Sequence, residues 1–243
     1  LGQTLAMLLL VLFVVVNFIR NRSFSPSLKI DVIAIRRVLK FCWPLIVGSY
    51  LYFPVSNLDK LLLERVGNIE EFGYYNLGSS MAGYFSTFFI TLYMAFEPDL
   101  YKFTSQRKIK EYSYLALFYI VVIVSVTITA ILLSEYIIGY LTSNRYPEAA
   151  KYFNLIIISM CLYNIGDMFQ QIFNSLNKTR LVMLRNAMMG ILSIFVYIFL
   201  INEAGFIGAA WAKIVLFSFY VIVGLGLFLR QYFSQIVTSI RKG

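Results

Sequence analysis

Histidine does not occur anywhere in the 243 residues. Its absence removes the one side chain that ordinarily titrates near neutral pH, and with it imidazole general-base chemistry and every imidazole-ligated metal site. Cysteine is almost as scarce. Cys42 and Cys161 both fall in apolar stretches and read as packing residues, not as a disulfide or metal pair. There is no Gly-rich phosphate loop and no Walker sequence, so the chain alone carries no ATP-driving machinery, and no cofactor is expected. Charge is thin as well: 14% of residues are Asp, Glu, Lys or Arg, against about 25% in an ordinary soluble domain, which places the chain outside that class.

What is present instead is hydrocarbon. Hydrophobic residues make up 60% of the chain, more than a soluble core of this size can hide. The fold class this implies is an all-α membrane protein. A helix rising 1.5 Å per residue needs about 20 apolar residues to cross the hydrocarbon layer, and seven stretches come near that length. They run from Thr4 to Ile19, Phe41 to Leu63, Phe72 to Phe96, Tyr112 to Leu133, Phe153 to Leu176, Leu181 to Ile201, and Phe206 to Leu229. The tight Asn177-Lys178-Thr179-Arg180 and Asn202-Glu203-Ala204-Gly205 connections make their flanking helices antiparallel neighbours.

Lys and Arg alternate between rich and poor gaps along this series. The rich gaps hold Arg20, Arg22, Lys29, Arg36, Arg37 and Lys40; then Lys102, Arg107, Lys108 and Lys110; then Lys178, Arg180 and Arg185; then Arg230, Arg241 and Lys242. The poor gaps hold only Lys60 and Arg65, then Arg145 and Lys151, then none. Basic residues flanking spans are retained on the cytoplasmic side, so the rich gaps read as inside and the C-terminus as cytoplasmic. The net charge of +9 is thereby assigned to loops facing anionic headgroups, and nucleic acid is not an expected partner.

The chain opens with Leu1, without a basic n-region or a cleavage site, which reads as the later part of a longer, transporter-sized protein. On that expectation residues 1–19 are the last helix of a preceding bundle and 20–40 a cytoplasmic linker. Residues 41–229 are then a six-helix bundle, and 230–243 a cytoplasmic tail. Residues Ile30 to Lys40 form either an interfacial helix or an extension of the next span.

Ionisable side chains deep in a span cost about 2.5–3.5 kcal/mol each, so each needs a cavity, a partner or a function. Asp167 lies mid-span on a stripe with Asn164, Gln171, Asn174 and Lys178 that keeps to one helical face. The stripe reads as the lining of a water-filled pathway or as a hydrogen-bonded helix contact. Lys213, two turns into the last span, is expected to pair with Asp167, to meet a phosphate of the cargo, or to snorkel. Asp59 and Lys60, beyond Pro44 and Pro54, read as a structural charge pair or a gate contact at the interface. The acids of the outer gaps, Glu64, Glu70, Glu71, Glu135, Glu148 and Glu203, are scattered without the paired spacing of a catalytic acid and base.

One set of residues carries a family resemblance: Pro44, Asp59-Lys60, Gly73-Tyr74-Tyr75, Pro98, Tyr146 with Ala149 and Ala150, Asn177-Lys178-Thr179-Arg180, and Gly205-Phe206-Ile207-Gly208-Ala209-Ala210-Trp211-Ala212. From Val38 to Arg230 the chain resembles the C-terminal bundle of a polysaccharide or O-antigen flippase of the multidrug, oligosaccharidyl-lipid and polysaccharide exporter superfamily. The resemblance implies a two-bundle fold in the bacterial inner membrane, with this chain supplying the second bundle. It implies a cargo of polyprenyl-pyrophosphate-linked oligosaccharide and partners that are membrane lipids and the N-terminal bundle. Asp167 and Lys213 would shape the cavity, and protonation of Asp167 would couple transport to an ion gradient. The alternatives are a small-molecule or drug exporter of the same superfamily and a membrane-embedded sugar transferase or polymerase.

Overall fold

The computed structural model describes residues 12, 13, 16, 32–106, 108–176 and 178–240. The expected span from Thr4 to Ile19, apart from three helical positions, and most of the 20–40 linker lie outside the described residues. The chain divides into two compact units, Leu1–Leu39 and Lys40–Gly243, and the site described below belongs entirely to the second.

Every described element is helical. In chain order they are α1 (Val32–Leu63), a 3-10 turn (Glu64–Val66), α2 (Ile69–Ser105), α3 (Ile109–Leu132), the short α4 (Ser134–Thr142), α5 (Ala149–Ser175) and α6 (Thr179–Ile240). The six expected spans from Phe41 onward each fall within a helix or within one arm of α6. The segment from Val32 to Lys40 is part of α1 itself.

Local sequence explains the breaks. Gly67 takes a left-handed conformation (φ 82°) that stops the chain after α1. Asn68 then caps α2: its Oδ1 accepts from the Glu71 amide at 3.1 Å while its Nδ2 donates to the Glu71 carboxylate at 3.3 Å. In α6 one residue, Gly205 (φ 57°, ψ −131°), leaves helical geometry, and a side chain there would oppose the turn. Contacts between the two arms separate in step from that break. Gly208 lies against the Leu200 carbonyl, and Gly224 lies against Arg185. The arms therefore run antiparallel, as the Asn202 to Gly205 connection requires.

Burial follows the membrane rule. On the first arm of α6, Leu184, Ile191, Phe195 and Phe199 expose 57%, 62%, 67% and 65% of their surface, whereas Arg185, Met189, Ser193 and Tyr197 face the interior. Large apolar side chains outside and polar ones inside suit hydrocarbon as solvent and no aqueous fold. Among the described residues four helices are long and apolar enough to cross a membrane: Ile35–Val66, Lys110–Leu132, Ala149–Gln170, and Thr179–Arg230, the last containing both arms of α6. The protein is a multi-pass all-α membrane protein.

Helix α5 occupies the middle and packs on α2 and α6. Gly78 permits the first contact: a Cβ there would stand 2.8 Å from the Phe153 amide nitrogen and 2.9 Å from the Ala149 carbonyl oxygen. Gly190 does the same for α1 and α6, lying directly against the Leu51 carbonyl. Such small-residue crossings bring backbones close where no water is available to drive association.

Candidate functional site

Two polar clusters lie buried between these helices. The first joins α1, α2 and the second arm of α6. Lys213 Nζ stands 2.7 Å from Asp59 Oδ2, with side-chain exposures of 3% and 0%. The Tyr75 hydroxyl donates to the same carboxylate oxygen at 2.5 Å, and Lys213 Nζ lies 5.8 Å from the centre of the Tyr75 ring. Asp59 Oδ1 is buried without a hydrogen-bond partner. One oxygen thus takes both a cation and a hydroxyl, which concentrates the attraction on one side of the carboxylate.

The sequence expectation for these residues is corrected in two respects. Lys213 pairs with Asp59, not with Asp167: α1 and the second arm of α6 bring the two side chains face to face, while Asp167 lies on α5 beside Gln170. Asp59 is likewise no interface charge beside Lys60: it is wholly buried and Lys60 is exposed, since consecutive helical residues point about 100° apart.

The second cluster lies two turns away. On α1, Tyr52 precedes Asp59 by seven residues, and on α6 Tyr220 follows Lys213 by seven, an axial separation of about 10 Å on both helices. Its centre is Arg185, 3% exposed. Arg185 Nη2 donates at 3.0 Å to the Gly166 carbonyl of α5 and at 3.0 Å to the Tyr220 carbonyl of the opposite α6 arm. Its guanidinium carbon lies 3.5 Å from the centre of the Tyr220 ring. Tyr220 donates onward to Gln170 Oε1 at 2.8 Å, and Gln170 Nε2 lies 3.4 Å from Asp167 Oδ1. Tyr52 and Tyr163 pack beside Tyr220, with ring centroids 5.9 and 6.1 Å from it. Asp167 thus joins the Arg185 cluster through Gln170 and Tyr220.

Arg185 is the residue that sequence reasoning misplaced. Counted with the Lys178 and Arg180 loop cluster, it lies instead inside the bundle, in register with Met189, Ser193 and Tyr197 at four-residue steps. That register was the signal available to find it. Gly166 and Gly224 make room for it: a Cβ at Gly166 would collide with the Tyr220 ring, and one at Gly224 would stand 3.2 Å from the guanidinium.

The polar stripe of α5 divides. Asn164 is buried and donates to Ser86 Oγ of α2 at 3.2 Å and to the Met160 carbonyl at 2.7 Å, a helix contact. Asp167 and Asn174 are half-buried, and Lys178 follows α5 at the far end. The side chain of Gln171 lies outside the described residues. Among the described residues no group of His, Cys, Asp or Glu is placed to hold a metal ion.

Residues 1–151, more than half of the chain, match the family model described as "Polysaccharide biosynthesis protein". No curated protein matches the chain, and no solved structure does.

Proposed function

The chain belongs to the polysaccharide biosynthesis protein family, and from that premise we propose that it translocates polyprenyl-pyrophosphate-linked oligosaccharide repeat units across the bacterial inner membrane. The cargo would serve surface polysaccharide synthesis, O-antigen or capsule. The reading is of a transporter and not an enzyme.

The observation that carries it is the inward placement of charge. Asp59, Arg185 and Lys213 are all buried among helices whose outer faces are apolar. A charged side chain at such depth is expensive, and it is retained where it serves a path or a switch. The two clusters lie in series along the helix axes, about 10 Å apart, in the direction a cargo headgroup would travel. Here the buried charges are spaced through the bundle.

In this mechanism the bundle rocks against a second bundle, opening alternately to either side. The Asp59–Lys213–Tyr75 and Arg185–Gly166–Tyr220 contacts each tie three helix segments, so they hold this bundle together as one moving body. Asp167, with Gln171 and Asn174 on the same helix, borders the pathway and takes up the coupling proton, while Asn164 holds α5 to α2. Lys60, exposed at the end of α1, meets the gate. The alternation of basic gaps supports a cytoplasmic C-terminus. Movement of a labelled polyprenyl-pyrophosphate oligosaccharide across sealed vesicles, scored by its access to an impermeant glycosidase, tests the proposal.

A further inference from the structure

Two of the acids that look scattered in sequence, Glu135 and Glu148, line one cavity at an end of the bundle. Helix α4 closes on Ser143 and Asn144, both left-handed (φ 52° and 57°), with the Asn144 amide donating to the Gly139 carbonyl at 2.8 Å. Gly139 has no Cβ to obstruct the Asn144 side chain, whose Oδ1 would stand 2.5 Å from one. The chain then turns into α5 at Ala149. Between α4 and α5 this leaves a cavity of about 570 Å³, lined by Glu135, Gly139, Asn144, Glu148, Lys151 and Asn154 among others. That volume lies within the range of about 300–1,000 Å³ typical of small-ligand sites.

Its chemistry selects among ligand classes. Glu148 and Lys151 neutralise each other at 3.2 Å, leaving Glu135 as the uncompensated charge of the lining. A phosphate-like anion finds no surplus cation there. A cation finds a single exposed carboxylate, which is worth little in water. The walls do offer acceptors (carboxylates and amide oxygens) interleaved with donors (amide nitrogens and one ammonium). Asn154 adds a second indication: its Oδ1 is buried in the wall without a hydrogen-bond partner, an acceptor that a ligand hydroxyl would satisfy once the side chain turns toward the cavity. Hydroxyl groups both donate and accept, so a compact, neutral, polyhydroxylated ligand fits the set.

We propose that this cavity is a saccharide site that takes one neutral sugar residue of the oligosaccharide cargo. The inference rests on the polysaccharide reading above and adds to it a place for the glycan, separate from the buried charges. The cavity opens at the end of the bundle where α2 begins, marked by Tyr74 packing on Tyr146 and Tyr152 bonding to Glu71. This is the end poor in basic residues, so the site holds the sugar on the side where cargo is delivered.

The test uses the full-length protein in detergent micelles and saturation-transfer NMR with galactose and N-acetylglucosamine as probes, and inorganic phosphate and spermidine as competitors. The expected result is binding of a neutral sugar that neither competitor displaces. Binding should weaken about tenfold in Glu135→Ala and in Asn154→Ala. Glu135 is exposed, so its variant separates loss of the site from loss of the fold. Absence of sugar binding, equal binding by Glu135→Ala, or displacement by phosphate or spermidine overturns the proposal. Vesicle translocation of the cargo keeps the two readings apart: transport without sugar binding sinks the site alone, and sugar binding without transport sinks the flippase reading alone.

Discussion

Lys213 reaches across from the second arm of α6 to Asp59 on α1, Nζ to Oδ2 at 2.7 Å, with neither side chain open to solvent. In the membrane interior each charge has only the other, and the Tyr75 hydroxyl, to replace water. The pair therefore acts as a clamp whose halves are not separately tolerable.

Lys213→Met leaves Asp59 as a buried, unpaired acid and is expected to cost about 3–5 kcal/mol of stability. Adding Asp59→Leu should recover most of that loss, because two apolar residues of similar size need no compensation. Thermal unfolding of the single and double variants in one detergent is the check, and a double variant no more stable than Lys213→Met contradicts the clamp.

Arg185 bonds two carbonyls from opposite sides of the bundle through one nitrogen, Nη2, while its planar guanidinium lies over the Tyr220 ring, an arrangement that a lysine ammonium cannot reproduce. Arg185→Lys is expected to lose about 1.5–3 kcal/mol, the worth of one charge-assisted hydrogen bond, and Arg185→Ala more. Unfolding temperatures should rank wild type above Lys above Ala. A lysine variant as stable as wild type would place the guanidinium outside the bundle's load path.

Two glycines of α2 give a sharper geometric test. Gly78→Ala must push a methyl into the α5 backbone and is expected to destabilise by about 1–3 kcal/mol. Gly83 has nothing within 4 Å of its would-be Cβ, so Gly83→Ala should be neutral or stabilising by up to about 1 kcal/mol, the helix preference of alanine. Opposite signs in a melting experiment support the described α2–α5 crossing; equal effects do not.

Asp167→Asn removes the half-buried acid from the Arg185 neighbourhood while keeping its shape. Transport rate in vesicles is expected to fall and to lose its dependence on pH. Unchanged rate and pH profile would remove Asp167 from the coupling step.

The helices were legible because apolar runs of membrane length have few other uses, and the break at Gly205 falls in the connection read between the last two spans. The polar contacts were less so. Depth along a span can be counted from sequence, which placed Lys213 correctly inside the membrane, but its partner depends on which way neighbouring helices face. Asp59 was therefore read as an interface residue although it is the partner. Arg185 was hidden by its nearness to Lys178 and Arg180: charge clustering along the chain masked a helical register that turns it inward. The cavity beside α4 depends on the reversal at Ser143 and Asn144, which carries no glycine or proline signal in sequence.

Vesicle translocation is the most direct test of the central claim. Sealed vesicles carrying the intact protein and a labelled polyprenyl-pyrophosphate oligosaccharide should deliver the sugar to the opposite leaflet, and Lys213→Met should deliver less of it. Failure of the intact protein to move that cargo would contradict the account, whether it exports a small molecule or transfers sugar instead.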